Sequence, residues 1–493
     1  MSKLSRSLVA AAAAGSAALL GAAVLQPANA SPAPAPAAES KAKAKAKAKP
    51  KAKAPKAAAG KDVIANLWSW NWKSVGAECT DVLGPSGYAA VWVAPPAESI
   101  AQPDGNWWDV YQPVNYELNS RFGDKEAFAA MTKACDDAGV KVYTDAVVNH
   151  TAALTGTGYG GTQVTDKYRP AMYQRGDYNV DVCDRTISNW NDKWEVQNCE
   201  LLGLPDLKTG SEAVRSKIAG YLNSQIALGV SGFRIDASKH MPAADLEAIV
   251  GKLDTTSDGS RPYVFHEVFP GPTPAPDEYY GSGKVLDFSA ADRLKSAFQG
   301  DIASLRDFGN GQLPADKSVS FVTNHDTERE GRHLSYKDGD TAVLANVFQL
   351  GWKHADPAVY AGFTYENKDA SPPANGDGFV TDTDCGNGAW YCLDRDPRIT
   401  GMVGWRVAVG DADVTDFQSP QGNVIGFGRG GKGFVAVNNT GGAVTAEFST
   451  QVPDGTYRDV LSGEAAREVT VSGGKVKVEL PAKSAVAFHP GTS

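Results

Sequence analysis

Four short segments of the chain set acids beside histidine, arginine or asparagine. They are Asp145-Ala-Val-Val-Asn149-His150, Gly232-Phe-Arg234-Ile-Asp236-Ala-Ser-Lys239-His240, Phe265-His266-Glu267-Val268 and Asn324-His325-Asp326. Any one of these acids alone reads as a cap at a strand end. Four of them at successive strand ends need another explanation. Asp236, Glu267 and Asp326 with flanking His and Arg, and no Cys or His set spaced for zinc, suit acid/base and nucleophilic work on an acetal. Cleavage of a glycosidic acetal takes two carboxylates, one protonated and one ionised, around the scissile oxygen. Trp107, Trp108 and Tyr111 in NWWDVYQPVNY offer faces for sugar rings, although such a stripe taken alone reads as core packing.

Each segment closes a run of β-branched and aromatic residues. Eight such runs follow one another: DVIANLWSW, YAAVWVAPP, VKVYTDAVVNH, SGFRIDAS, PYVFHEVF, KVLDFS, VSFVTNHD and AVYAGFTY. Helical periods lie between several of them, at 125-140, 211-230 and 242-253. The pattern predicts an α/β fold, a closed parallel (β/α)8 TIM barrel, whose C-terminal strand ends converge on one pocket. The barrel would take residues 61-150 and 210-402. Residues 151-209 are too long for a structureless loop and predict a small subdomain inserted after the third strand. From 403 to 493 the helical period gives way to short alternating runs split by glycine, which predicts a separate antiparallel β-sandwich.

With 493 residues, 42% apolar and 21% charged, the chain can bury a large core. Lys3 and Arg6, an Ala/Leu/Val run and Ala28-Asn29-Ala30 read as a secretory signal over residues 1-30, which predicts a secreted, extracellular and soluble protein. Residues 31-60 are an Ala/Lys/Pro tail without aromatics, expected to be disordered, whose lysines suit an anionic cell-wall polymer or nucleic acid. The total charge is -9; the leader's two and the tail's net seven positive charges leave -18 on residues 61-493, which argues against nucleic acid as a partner of the body. Six cysteines in an exported chain are available for pairing, in any of about fifteen ways. A monomer is expected.

DAVVNH, GFRIDASKH, HEVF and FVTNHD, with LPDL at 204-207, resemble the conserved segments of the α-amylase clan of retaining glycoside hydrolases. The resemblance covers about residues 62-490. It is nearest to the animal and actinobacterial α-amylases, through LGPSGYAAVWVAPPAE, WWDVYQPVNYEL and VRSKIAGYLN. It implies Asp236 as nucleophile, Glu267 as general acid/base and Asp326 as the acid that binds sugar hydroxyls and stabilises the distorted ring. Arg234, two residues before Asp236, would orient that acid and keep it ionised. His150 and His325 would bond the sugar in the cleaved subsite where Tyr111 stacks, with Trp107, Trp108 and Gln112 nearby; Lys239 and His240 would line the leaving-group side.

The same resemblance implies a structural Ca2+ held by the side chains of Asn149 and Asp206 and the backbone carbonyls of Gln197 and His240. It also implies the disulfides Cys79-Cys135, Cys183-Cys199 and Cys385-Cys392. Two departures stand out. Chloride-requiring relatives carry a basic residue just before the last barrel strand, where this chain reads Asp356-Pro357-Ala358-Val359, and this argues against chloride as a cofactor. The segment Thr327 to His333 lacks the glycine-rich loop of those enzymes. The expected function is endo-hydrolysis of α-1,4 links in starch, glycogen and maltooligosaccharides. The rival readings are a transglycosylase, a maltooligosaccharide-forming enzyme of the same clan, or a non-catalytic polysaccharide-binding wall protein.

Overall fold

The computed structural model of the chain describes residues 60-102 and 105-492; the leader and nearly all of the lysine-rich tail lie outside them. Eight parallel strands form the body: β1 Ile64–Leu67, β2 Ala90–Val93, β3 Lys141–Ala146, β4 Val230–Ile235, β5 Tyr263–His266, β6 Lys284–Asp287, β7 Ser318–Phe321 and β8 Asp356–Phe363. Each pairs with its neighbour, and Ile64 to Leu67 pair with Ala358 to Ala361, so the sheet closes on itself. The strands are buried on both faces, as a barrel ringed by helices requires. Trp92, Tyr143, Phe265, Leu286, Val319 and Phe321 share one apolar cluster with Ile64 and Ala358.

Register sets the height of each functional side chain. Asp145 pairs with Arg234, and Ile235 pairs with His266. The next residues, Asp236 and Glu267, therefore leave adjacent strands at the same level; Asp236 N–H donates to the Ala146 carbonyl (3.0 Å) and Glu267 N–H to the Ile235 carbonyl (3.0 Å). Gly232 is required two residues below Arg234, because a Cβ there would run into the Tyr263 carbonyl and the Tyr143 ring.

Between β3 and β4 the chain makes the inserted segment, with a two-stranded pairing of Gly156–Thr157 and Gln163–Val164, a short helix Lys193–Val196 and the disulfide Cys183–Cys199. Cys79–Cys135 ties the segment after helix α1 (Trp72–Glu78) to α2 (Lys125–Asp137), and Cys385–Cys392 closes a short loop after β8. No helix among the described residues is long and apolar enough to cross a membrane.

The C-terminal part has two four-stranded antiparallel sheets. One is β9 (Val414–Gln421), β10 (Val424–Arg429), β11 (Phe434–Asn438) and β16 (Ser484–Phe488). The other is β12 (Val444–Ser449), β15 (Lys475–Leu480), β14 (Glu468–Ser472) and β13 (Gly455–Arg458). Helical structure does not stop at residue 403, where the sequence pattern placed the change. A helix over Pro397–Val409, α7 in the count where α3 is Glu212–Ile226, α4 Ala243–Val250, α5 Phe288–Gln299 and α6 Asp340–Gly351, runs across that point. Its GMVGWRVAV stretch has too many β-branched residues to read as helical alone, and burial of Ile399, Met402, Val403, Trp405 and Val409 decides the matter.

That helix is also the joint between the two parts. Trp405 is fully buried, donates from Nε1 to the Phe488 carbonyl (2.9 Å) and occupies space that a side chain at Gly433 would take. Arg429 reaches back from β10 to the carbonyls of Gly351 (3.1 Å) and Gly410 (2.7 Å), where its charge meets the C-terminal ends of α6 and α7. Trp405→Ala is expected to cost about 3–5 kcal/mol and to split calorimetric unfolding into two transitions. A single transition at the parent's temperature would contradict this account of the joint.

Candidate active site

Arg234 is the centre of the barrel mouth. Its side chain is 1% exposed, and Nη1 meets Asp145 Oδ1 (2.7 Å) and Asp236 Oδ1 (2.7 Å), while Nη2 pairs with Glu267 Oε1. Trp92 lies beneath it, 5.8 Å from guanidinium to ring centroid. Arg234 and Asp236 point the same way because they are two apart on a strand. Glu267 Oε2 accepts from the N–H of Ala237 (3.0 Å), a non-glycine residue held in the left-handed region at φ 50°.

Arg234 favours the charged form of Asp236, as expected, but it is not the largest influence on that acid. Burial pushes the Asp236 carboxyl well above its usual range, and the neighbouring charges of Glu267, Asp145 and Asp326 add to that push, outweighing Arg234. Asp326 is raised well above the usual value by burial and by Glu267. Burial also lifts Asp145, to about 6, against the pull of Arg234. Several acids share one guanidinium, so their protons are shared as well.

Asp326 sits in the first turn of the short helix His325–Arg329, capped by Asn324, whose Oδ1 accepts from the N–H groups of Asp326 (3.2 Å) and Thr327 (2.9 Å). His325 Nε2 lies 2.8 Å from Tyr111 Oη and 3.4 Å from Asp326 Oδ2. Tyr111 donates its one proton to Asp145 Oδ2 (2.8 Å), so the proton between Tyr111 and His325 belongs to His325 Nε2. Burial, with Arg234 and Arg329, holds His325 well below its usual pKa and therefore neutral.

The aromatic residues gather as the sequence stripe suggested. Trp107 and Tyr111 lie in a single-turn helix over Trp107–Tyr111 and are half-buried, with Trp107 edge-on to His325 (5.7 Å) and Tyr111 stacked on it (5.4 Å, 9°). Trp108 is half-buried with its Nε1 buried and unpaired. Gln112 is buried; its Oε1 takes the N–H groups of Ala153 (3.1 Å) and Leu154 (3.3 Å), fixing the start of the inserted segment, and its Nε2 has no hydrogen-bond partner among the described residues.

On the other wall, Lys239 is buried and its ammonium is lowered by burial; it lies over Gly271, where a Cβ would collide with Nζ. His240 donates from Nδ1 to the Val196 carbonyl (3.0 Å) and is pushed down to about 3 by burial, and Trp190 stands edge-on to it (5.9 Å).

The residues suggested for calcium are tested by two observations. Asn149 Nδ2 is engaged with His150 Nδ1 (3.3 Å) while Asn149 Oδ1 is buried and unpaired. Asp206 is buried, takes one hydrogen bond from Asn179 Nδ2 (2.8 Å), forms no ion pair among the described residues and is raised well above its usual range by burial. Two oxygen donors lacking a cation, at the point where His150 and Asp206 bridge barrel and insert, fit a hard divalent ion. For an anion, Arg234 Nε and Asn324 Nδ2 are buried and unpaired, but the third position offers only Ala358, inside the barrel's apolar cluster, and Asp356, which pairs with Lys284 (2.6 Å).

Residues not singled out for a role from the sequence also belong to this mouth. Asp145 opened a recognised motif, yet only its register with Arg234 shows that it faces the same pocket. Trp68, fully buried, stacks on His325 (4.6 Å, 8°) and donates to Tyr111 Oη (3.2 Å); the signal for it was its place just past the first strand. Arg329 and Glu328 stand behind that stack.

Comparison with known proteins follows the geometry. The family described as α-amylase catalytic domain matches residues 81–269, and that described as α-amylase C-terminal all-β domain matches residues 415–491. An α-amylase of Streptomyces violaceus is 45% identical over 433 residues, covering 87% of this chain and 74% of that protein. An α-amylase of Tenebrio molitor is 38% identical over 430 residues, 83% of this chain and 90% of the other. Among solved structures, a mutant of α-amylase I from Eisenia fetida in complex with maltohexaose superposes with a TM-score of 0.84 at 32% identity, covering 87% and 97% of the two chains.

Arg234→Met would leave Asp145, Asp236 and Glu267 buried around an apolar side chain, at a cost of about 3–5 kcal/mol. An acid whose pKa is raised on folding supports the fold fully below its unfolded value and loses that support as pH rises through the folded one. For Asp145 that window runs from 3.8 to about 6. Loss of Arg234 widens it, so the variant's melting temperature should fall more steeply than the parent's between pH 4 and 7. Parallel melting profiles would contradict the central role of Arg234.

Proposed function

Because the chain belongs to the α-amylase family of glycoside hydrolases, we propose that it is a secreted enzyme that cuts internal α-1,4 links of starch or glycogen with retention of anomeric configuration. The observation that carries the reading is the register that brings Asp236 and Glu267 off adjacent strands at one height, both on Arg234, with Asp326 presented by the next acid-bearing strand end but one.

In this mechanism Glu267 gives its proton to the glycosidic oxygen while the Asp236 carboxylate attacks the anomeric carbon from the opposite face. The bond to the leaving sugar breaks and a glycosyl ester on Asp236 forms. Glu267, now ionised, takes a proton from water, whose oxygen attacks the same carbon and releases Asp236. Two inversions give net retention. Asp326 holds hydroxyls of the distorted ring, whose positive charge the carboxylates stabilise, and His325 stands beside it with its Nε2–H given to Tyr111 Oη (2.8 Å). Trp107 and Tyr111 give the ring its apolar face.

Asn149 and Asp206, with the carbonyls of Gln197 and His240, would hold a calcium ion. Bound there, the ion would supply no reacting group and would fix the inserted segment to the barrel. The leader supports secretion, and the lysine-rich tail suits contact with an anionic wall polymer.

Soluble starch should yield a falling ladder of maltooligosaccharides, with the new reducing ends appearing in the α configuration by NMR. Products longer than the substrate would point to transglycosylation, and β ends would overturn the nucleophile. Glu267→Gln should lose at least 1,000-fold on starch, on the order of one general acid's contribution, yet keep much of the first step on a substrate with a good leaving group. Asp236→Asn should be inactive on both. Since burial raises Asp236, the acidic limb of the rate profile should lie above the ordinary carboxylate range.

Chelation should lower the melting temperature by removing a ligand of the native state, and Asp206→Ala should abolish that sensitivity. A parent melting curve indifferent to chelator would remove the calcium site.

A further inference from the structure

Behind the sugar pocket lies a buried cation. The Arg329 side chain is 3% exposed, and its guanidinium stands over Trp68 (4.8 Å), Trp107 (5.2 Å), Phe363 (4.8 Å) and Tyr365 (4.5 Å). Nη1 donates to the His325 carbonyl (3.1 Å) and to Glu328 Oε1 (2.9 Å); Glu328 is itself 2% exposed and accepts from Tyr360 Oη (2.8 Å). Nε and Nη2 are buried without a hydrogen-bond partner. A guanidinium left with unpaired N–H groups is costly unless ring faces receive them.

The rings around it belong to the pocket. Trp68 stacks on His325 (4.6 Å, 8°), and His325 stacks in turn on Tyr111 (5.4 Å, 9°). Guanidinium, indole, imidazole and phenol form one pile from the barrel wall to the sugar site, with Trp107 edge-on to both Trp68 (5.4 Å) and Tyr111 (6.2 Å). Nothing in the hydrolytic steps touches Arg329.

We propose that Arg329 is a positioning residue for the hydrolysis described above: clamped among four aromatic rings and bonded to the His325 carbonyl, it fixes the Trp68–His325–Tyr111 stack, and so the Tyr111 face and the neighbouring Asp326 (3.4 Å from His325 Nε2), against the ring being cleaved. The inference rests on the proposed function. It assigns Arg329 no contact with substrate. A fixed wall matters most when the ring distorts, so the loss should fall on kcat rather than KM.

The test compares Arg329→Met and Arg329→Lys with the parent on soluble starch and on a nitrophenyl maltooligosaccharide, together with melting temperature and near-ultraviolet circular dichroism. Arg329→Met should lose at least tenfold in kcat with KM within threefold, and the tryptophan bands should change because Trp68 and Trp107 lose the cation. Arg329→Lys, which keeps the charge but not the planar fork, should fall between Met and parent in kcat. A lower melting temperature with parental kcat in the folded variant would show a merely structural role and overturn the proposal. If the Met variant fails to fold, Lys decides: kcat down at least threefold at the parent's melting temperature supports the proposal, and parental kcat overturns it. A parent inactive on starch overturns the proposed function and this inference together, whereas an active parent with unaffected variants overturns this inference alone.

Discussion

One buried guanidinium decides what the mouth of the barrel can contain. Carboxylates taken out of water are tolerated only when paired and hydrogen-bonded, and Arg234 is the cation in direct contact with Asp145, Asp236 and Glu267. That requirement reaches down into the fold. The arginine can rise through the barrel because Gly232 leaves room below it and Trp92 presents a ring face to it. Its three partners come from β3, β4 and the end of β5, so a slip of one residue in any of these pairings would turn a carboxylate away from it. Surface ion pairs such as Lys133–Asp137, with both side chains well exposed, carry no comparable constraint.

The inserted segment is bound to the same mouth through polar groups as well as through Tyr173, Tyr178 and Leu207, which are buried in the main core. The one apolar cluster wholly within it is small, holding Cys183, Ile187, Val196 and Cys199, and another joins its Ala152 and Val164 to Ile100 and Val114 from before the third strand. What anchors it are pairs that also shape the pocket. Gln112 holds the N–H groups of Ala153 and Leu154, His240 holds the Val196 carbonyl, and Gln197 donates to the Met241 carbonyl (3.2 Å). Wall and pocket floor are therefore one hydrogen-bonded unit, and loosening the insert at Asn149 or Asp206 would be felt at His150, which neighbours the first and bridges to the second.

The eight strands were legible because each is a short β-branched and aromatic run ending in polar residues, and because parallel strands buried on both faces leave no alternating pattern to mistake. The acids at their ends were legible as a set. Pairing geometry was not: the sequence shows Asp145 and Arg234 ninety or so residues apart, and only strand register makes them neighbours. Trp68 and Arg329 were missed for the same reason, since a buried cation over aromatic rings is a property of four distant segments. Gln112, a polar residue beside the aromatic stripe, gives its Oε1 to the backbone N–H groups of Ala153 and Leu154, a use that only the folded insert reveals. The helix over Pro397–Val409 was not legible in the sequence because its propensity is poor and its packing good.

The histidines of this mouth behave as fixed hydrogen-bonding posts rather than as proton carriers. Ser238 donates to the Ile235 carbonyl (3.0 Å), so the proton between Ser238 and His266 (2.9 Å) sits on His266 Nδ1, and burial lowers that ring to about 3. His325 keeps its proton on Nε2 by the same reasoning. A histidine whose pKa is lowered on folding supports the fold fully above its ordinary value of 6.5 and loses that support as pH falls below it, whereas Asp145, Asp236 and Asp326, raised on folding, lose theirs as pH rises above 3.8. Between those two values the slopes oppose each other, so buried acids and buried neutral imidazoles offset one another's pH dependence.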